Sequence, residues 1–153
     1  MVIRLFEEDD AYQVAELSNK NSKFFKYSKV SPAFLIKFCD SLGFRMFVLE
    51  MDGKIGGFCG LHFENPAMAE LGPICVDHKY RHMGLAYELV NKVTAYAQKR
   101  RIAAMMTKCK SFNMPAINLF KKLGFKEQER HSSDKGQETV VLVKVLVNNL
   151  TQN

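Results

Sequence analysis

Residues 74–87 hold the side chains whose types and spacing best suit chemistry. A predicted buried strand runs into a short basic loop, and the loop opens a predicted helix at Gly84. The first amides of a helix lack partners inside the helix, and together with the helix dipole they attract anions. Gly84 has no side chain to keep an anion from the backbone, while Lys79, Arg81 and His82 add positive charge. The pattern predicts a site for a phosphate or diphosphate.

This anion site, residues 81–87, does not follow a known nucleotide loop. The chain has no Gly-x-x-x-x-Gly-Lys-Ser/Thr sequence, which argues against a P-loop. Gly56, Gly57 and Gly60 lie within a strand pattern and open no helix, so we interpret them as positions of a bulge or of close backbone approach. A purely structural interpretation, a capped helix that follows a turn with basic surface residues, fits the spacing of residues 81–87 equally well.

The elements that must position this loop follow from hydrophobic periodicity and turn signals. We expect the order βααββ, then βαβα, then ββ, which makes a mixed α+β sheet. The predicted strands are 2–6, 45–51, 54–63, 70–76, 102–109, 125–130 and 138–147. The predicted helices are 9–19, 31–42, 84–100 and 115–123.

Individual residues predict where several helices and strands begin, turn or end. Asp9 or Asp10 is expected to cap the first helix and Asn113 the last one. Asp52-Gly53 predicts a tight hairpin. Pro73 cannot donate to a strand ladder, which predicts a bulge or an unpaired edge there. The inward stripe expected for the second helix comprises Phe34, Leu35, Phe38 and Leu42.

Composition limits the class of protein. The 153 residues suit one domain over 1–153, with 148–153 as a frayed tail. No apolar run reaches the roughly 18 residues of a membrane span, and the start lacks a signal pattern, so we expect a cytoplasmic protein. The four cysteines are widely spaced without Cys-x-x-Cys, which predicts reduced, buried thiols and no metal. The net charge of +6 favours an anionic partner: nucleic acid, an acidic protein surface or a phosphorylated cofactor.

The anion site carries a resemblance to a known family. Arg81-x-x-Gly84-x-Ala86 resembles the Arg/Gln-x-x-Gly-x-Gly/Ala signature of the GNAT family of N-acetyltransferases. The preceding residues 70–77 are similar to the bulged fourth strand of that family, and the beginning at Ile3-Arg4 also fits. The resemblance extends over nearly the whole chain in the expected order.

A second block of the family pattern lies further along the chain. Asn113-x-x-Ala116-x-x-x-Phe120-x-x-x-Gly124-Phe125 resembles the family's Asn-x-x-Ala-x-x-x-Tyr-x-x-x-Gly-Phe. Each block alone is weak evidence for the family, whereas the two blocks together, at the separation that the family shows, are specific for it. The resemblance implies a GNAT-like, mostly antiparallel sheet of about seven strands flanked by about four helices and splayed at the fourth and fifth strands.

The resemblance also implies acetyl-CoA as the acetyl donor, with coenzyme A as product. The pantetheine arm would add to the fourth strand through backbone hydrogen bonds, and the diphosphate would lie on amides of the anion site. Asn113 would contact the donor as well as cap its helix. The cofactor-binding residues so implied are Ile74, Cys75, Val76, Arg81, His82, Met83, Gly84, Leu85, Ala86, Tyr87, Asn113 and Phe120.

For catalysis, the family implies an attack by a neutral amine on a thioester. Glu70, eleven residues before Arg81, matches a position where some members carry a catalytic glutamate, and an apolar strand would make its carboxylate more basic; a surface carboxylate is the alternative. His62 and Glu64 are weaker candidates that could act through water. The backbone amide of Val76 is the expected oxyanion donor.

The sequence departs from the family where an acid is expected. Phe120 stands in place of the usual tyrosine, and Lys108 stands where some members carry another glutamate. Tyr80, Tyr87 or water could protonate the thiolate, or no acid is required, since a thiolate of pKa about 8–9 leaves readily.

We therefore expect an N-acetyltransferase acting on an amine of a small molecule or protein, as a monomer or homodimer without a membrane partner. The alternative is a catalytically degenerate, acyl-CoA-binding regulatory module, motivated by Phe120. Nucleic-acid binding is a third and less favoured function. It is suggested by the basic residues Lys108, Lys110, Lys121, Lys122 and Lys126. In GNAT proteins the loop between the first two helices often lines the acceptor pocket. The residues so implied to shape that pocket are Phe24, Phe25 and Tyr27, and a role as core side chains fits them equally well.

Overall fold

The computed structural model describes residues 1–21, 29–133 and 135–146. Its strands are β1 (Val2–Leu5), β2 (Phe44–Met51), β3 (Lys54–Phe63), β4 (Met68–Val76), β5 (Ala104–Lys110), β6 (Lys126–Ser132) and β7 (Glu138–Val145). Its α-helices are α1 (Ala11–Lys20), α2 (Pro32–Cys39), α3 (Leu85–Lys99) and α4 (Met114–Lys122). Short 3-10 helices occupy Glu8–Asp10 and His78–Tyr80. The predicted element order is confirmed.

The strands form one mixed sheet in the order β1-β2-β3-β4-β5-β7-β6. β4 and β5 are parallel, whereas the pairs β1–β2, β2–β3, β5–β7 and β6–β7 are antiparallel. Among the described residues, β4 pairs with β5 only over Met68–Glu70, opposite Ala104–Met106. The backbone of β4 beyond Glu70 is released from β5, so the predicted α+β fold and its splay at the fourth and fifth strands are confirmed.

The chain divides into two compact units. The first unit comprises residues 1–62 and 72–93, and the second comprises 63–71 with the described residues from 94 onward. Apolar side chains of α1, α2 and the strands fill the first core. The buried members of that core are Val14, Ala15, Leu17, Leu35, Phe44, Met46, Val48, Ile55, Phe58 and Cys75. In the second unit the buried set includes Met105, Ile117, Phe120, Leu123, Phe125, Val140 and Leu142.

Helix α2 presents fewer side chains to the core than its sequence predicts. Leu35 is buried, but Phe34 and Phe38 are 47% and 38% exposed and stack on each other with ring centroids 5.5 Å apart. Leu42 is 94% exposed because the helix ends at Cys39, before the predicted end at 42. The predicted inward stripe is therefore confirmed at Leu35 and in part at Phe38, whose ring lies 4.5 Å from that of the buried Phe44. It is wrong at Phe34 and Leu42.

Turn and cap signals predicted from sequence are confirmed at Asp52-Gly53 and at Asn113, and the structure adds a cap at Ser31. Asp52 and Gly53 both have positive φ, 52° and 76°, as a tight hairpin requires. Ser31 Oγ accepts a hydrogen bond from the Phe34 amide at 3.1 Å and caps α2. Asn113 Oδ1 accepts one from the Ala116 amide at 3.4 Å and caps α4.

The cap expected for α1 is absent. Asp10 is 5% exposed, and its side chain makes no hydrogen bond to the amides of that helix. Its carboxylate instead accepts hydrogen bonds from Arg4 Nη1 at 2.8 Å, from Arg4 Nη2 at 3.0 Å and from the Glu7 amide at 2.8 Å. Burial acts to raise the pKa of Asp10, but the hydrogen bonds from Arg4 and the Glu7 amide outweigh it and hold that pKa below its usual range.

We expect Asp10→Asn to lower the free energy of unfolding by about 2 kcal/mol at pH 7, because a neutral amide binds Arg4 more weakly. A lowered carboxyl pKa stabilises the fold above the unfolded value of about 3.9, and this stabilisation is lost as pH falls through the folded value. The gap between wild type and variant, measured by urea unfolding, should therefore close in acid. Asp9→Asn, at an exposed carboxylate, is the control. A gap that does not change with pH would contradict the argument.

Candidate functional site

The end of β4 is shaped by hydrogen bonds within the first unit. The Asp77 amide donates to the Gly56 carbonyl at 2.8 Å, and the Asp77 carboxylate accepts from the Lys79 amide at 3.3 Å. Amides of successive strand residues point to opposite edges. The amide of Val76 therefore points away from β3, toward the edge that β5 has left. This edge is the one at which backbone hydrogen bonds to a ligand were predicted.

The glycines of β3 are positions of close approach. A Cβ placed on Gly57 would lie 2.9 Å from the carbonyl oxygen of Cys75, and one on Gly60 would lie 2.6 Å from that of Gly72. Contacts this short do not occur at real Cβ atoms. The strand interpretation of these glycines is confirmed, and they let β4 lie close against β3.

The loop before α3 has an open, left-handed backbone. His82 and Gly84 have φ of 65° and 75°, and the Glu88 amide donates to the Gly84 carbonyl at 3.2 Å to begin the helix ladder. Among the described residues, no heavy atom lies within 4 Å of a Cβ built on Gly84. Met83 beside it is 59% exposed. The space in front of the first α3 amides is thus open to a ligand, as an anion site requires.

Arg81 has a structural role that the sequence did not suggest. Its Nε donates to the Val76 carbonyl at 3.2 Å, and its Nη2 donates to Asn21 Oδ1 at 2.8 Å. Asn21 Nδ2 in turn donates to the Leu17 carbonyl at 2.9 Å. The guanidinium therefore links the end of α1 to the end of β4, and its predicted contact with a phosphate stays a prediction.

In the second unit, Glu70 has a cationic neighbour. Lys108 Nζ lies 3.6 Å from Glu70 Oε1, and the two side chains are 53% and 29% exposed. Glu70 is therefore not enclosed by apolar side chains alone, and its predicted role as a base stays a prediction. The two positions that carry glutamates in some GNAT proteins carry an ion pair in this chain.

The second sequence block builds α4 and its packing. Asn113 caps the helix, so its predicted structural role is confirmed and its contact with a cofactor stays a prediction. Phe120 is 1% exposed and packs edge-to-face on Phe125 with ring centroids 5.2 Å apart. Where the family has a tyrosine hydroxyl, this chain has a core side chain. The predicted acceptor-lining residues, Phe24, Phe25 and Tyr27, lie outside the described residues.

The cysteines behave as the sequence predicts. All four thiols are free, and only Cys39 is not fully buried. Burial raises the pKa of Cys39 and Cys75 to about 12 and that of Cys109 to about 11. These thiols are therefore protonated near neutral pH and are weak nucleophiles.

Within the described part of the chain, no three His, Cys, Asp or Glu side chains are grouped so as to hold a metal ion. No helix of that part has the length and hydropathy to cross a membrane.

Comparison with known proteins identifies the family. The sequence pattern of the Acetyltransferase (GNAT) family matches residues 9–125. The chain belongs to the GNAT family of acetyltransferases. An uncharacterized N-acetyltransferase of Methanocaldococcus jannaschii is 37% identical over 91 residues, which are 54% of this chain and 39% of that protein. The chain thus spans about two fifths of the length of the curated relative that it matches.

Solved structures share the GNAT fold at low identity. The structure of smu.2055 from Streptococcus mutans has a TM-score of 0.85 at 24% identity and covers 95% of this chain and 99% of its own. The structure of yncA from Salmonella typhimurium, which contains its cofactor acetyl-CoA, has a TM-score of 0.85 at 17% identity and covers 95% of this chain and 94% of its own.

Two features of this GNAT chain were not predicted from its sequence. The bridge from Asn21 through Arg81 joins residues that are 60 apart, and no local pattern signals it. The pair of Glu70 with Lys108 depends on the parallel register of β4 and β5, in which Glu70 lies opposite Met106, two residues before Lys108.

Proposed function

We propose that this GNAT protein transfers the acetyl group of acetyl-CoA to an amine by direct attack. The observation that carries the proposal is the open loop at Gly84, where a side chain is missing in front of the first amides of α3. Family membership and the acetyl-CoA in the yncA structure support the same donor. Acetyl-CoA supplies an activated acyl group in the form of a thioester.

The residues present fit that donor. The diphosphate would bind amides of residues 82–87, where the helix dipole and the positive φ of His82 and Gly84 turn the backbone toward it. The pantetheine arm would hydrogen-bond to Ile74–Val76, on the edge of β4 that points away from β3. Arg81 holds the Val76 carbonyl through Nε and keeps its positive charge, which would add to the attraction for the diphosphate.

In the reaction, Glu70 accepts one proton from the substrate ammonium and leaves a neutral amine. The amine nitrogen forms a bond to the acetyl carbon as the bond from that carbon to sulfur breaks. The Val76 amide donates to the carbonyl oxygen on which negative charge develops. The second amine proton goes to the departing sulfur, so the products are an N-acetylated amine and coenzyme A.

Phe120 cannot protonate the departing sulfur, because it is an apolar ring in the core. Tyr80, Tyr87 and water remain the candidate donors. A thiolate with a pKa of about 8–9 leaves without full protonation, so loss of the family tyrosine does not exclude turnover. Loss of the tyrosine should lower the rate of acetyl transfer and leave the affinity for acetyl-CoA unchanged.

The alternative function is a regulatory module that binds acyl-CoA without turnover. Phe120 and Lys108 favour it, since each stands where members of the family carry an acid–base group. Isothermal titration with acetyl-CoA, followed by measurement of thiol release with a panel of amines, separates the two. We expect micromolar binding and amine-dependent release. Binding without release would support the module, and the absence of binding by folded protein would contradict both.

A further inference from the structure

The ion pair of Glu70 with Lys108 lies on a partly exposed face of the second unit. Met106, Lys108 and Lys110 alternate along β5 with the buried residues Met105, Thr107 and Cys109. The two lysines therefore project from the same face of β5. Opposite Lys108 and Met106 on β7 stand Val141 and Val143, which share that face and provide an apolar floor.

If Glu70 takes the proton from the substrate amine, Lys108 must lie beside that substrate, because its Nζ is 3.6 Å from Glu70 Oε1. An ammonium that approaches Glu70 competes with Lys108 for the carboxylate and is repelled by it. In a substrate with further positive charges, such as a polyamine, Lys108 repels each of the ammonium groups. A substrate that brings its own anion offers Lys108 a replacement partner.

Resting on the proposed acetyl transfer, we propose that the amine acceptor carries a carboxylate on the carbon next to its nitrogen, as an α-amino acid does. The ammonium nitrogen and a carboxylate oxygen of such a molecule are three bonds apart, which places them roughly 3 Å from each other. That separation is close to the 3.6 Å of the ion pair. The acceptor can therefore lie against the pair with its ammonium on Glu70 and its carboxylate on Lys108.

Lys110 adds a second cation to this face. It is half-buried, and among the described residues no carboxylate forms an ion pair with it. Glu129 and Lys126 stand opposite Val141 and Val143 on β6 and share this face. Glu70 with Lys108, and Glu129 with Lys126, compensate each other in charge, which leaves the positive charge of Lys110. A net positive face disfavours a polycationic polyamine relative to an acceptor whose carboxylate balances its ammonium. The acetyl group still forms its bond to the amine nitrogen as the bond to sulfur breaks, with one proton going to Glu70 and one to the sulfur.

The test uses the full chain and matched acceptors: alanine, phenylalanine and serine, their carboxamides, and spermidine. In wild type and in Lys108→Met, kcat/KM is measured for each acceptor at saturating acetyl-CoA. We expect the acid-to-amide ratio of kcat/KM to fall about tenfold in Lys108→Met. Comparing ratios cancels the different basicities of the acids and amides, and any change in Glu70 itself. Lys108→Arg should retain most of the ratio.

Lys99→Met removes the same charge from an exposed position at the end of α3 and should leave the ratio unchanged. Spermidine or the amides acetylated as well as the acids, with a ratio that does not respond to Lys108→Met, would overturn the inference while acetyl transfer stands. An equal change in Lys99→Met would also overturn it, because overall charge would then explain the preference. No transfer to any acceptor would overturn both the inference and the proposed function.

Discussion

Gly84→Glu should weaken acetyl-CoA binding by about 100-fold or more, which is roughly 3 kcal/mol. The wild-type backbone leaves open space in front of the α3 amides, and the new side chain would enter it. Its carboxylate would also place a negative charge where the helix dipole attracts a diphosphate. Steric occupation and charge repulsion act in the same direction, so isothermal titration should detect little or no heat of binding.

Gly136→Glu is the matched control for backbone strain. Gly136 has the same φ of 75° as Gly84, and no described heavy atom lies within 4 Å of its built Cβ either. A glutamate with this positive φ therefore lowers the free energy of unfolding of each variant by about 1–2 kcal/mol. Gly136 belongs to the turn between β6 and β7 and not to the loop before α3, so its variant should bind acetyl-CoA as wild type does. Unchanged affinity in Gly84→Glu, or equal losses in both variants, would contradict the assignment of the loop.

What the sequence predicts well is decided by neighbouring residues. Asp52-Gly53 forms its hairpin because the turn geometry needs positive φ at both residues, which aspartate and glycine tolerate. Asn113 caps α4 because its oxygen reaches an amide three residues ahead. The loop at Gly84 belongs to the same class, since a strand, a basic turn and a helix follow each other directly.

What the sequence predicts poorly depends on a distant partner. Asp10 looks like a helix cap, but Arg4 on β1 binds its carboxylate and removes it from the α1 amides. Glu70 looks like a carboxylate on an apolar strand until the register with β5 brings Lys108 to 3.6 Å. In both cases an arginine or lysine side chain from another strand pairs with the carboxylate. The contact joins residues of different elements, so the spacing of residues along the chain does not predict it.

Glu70→Gln should lower kcat by about 100-fold while the affinity for acetyl-CoA stays within twofold, because a general base contributes roughly that much and Glu70 does not bind the donor. The change keeps the size of the side chain and removes only its ability to accept a proton. Thiol release at saturating acetyl-CoA measures kcat, and isothermal titration measures affinity. Glu129→Gln, on an exposed carboxylate of β6, is the control for charge, and Glu64→Gln tests the competing base.

The pH profile separates loss of a base from structural damage, because Lys108 loses its partner in the same variant. An amine that deprotonates in solution no longer needs Glu70, so the deficit of Glu70→Gln should shrink as pH rises toward the pKa of the acceptor ammonium, about 8 for an α-amine and about 10 for a lysine-like amine. A structural defect would give a deficit that is constant with pH. Wild-type rates in Glu70→Gln, or a deficit that high pH does not reduce, would remove Glu70 as the base and make Glu64 or His62 acting through water the next candidate to test.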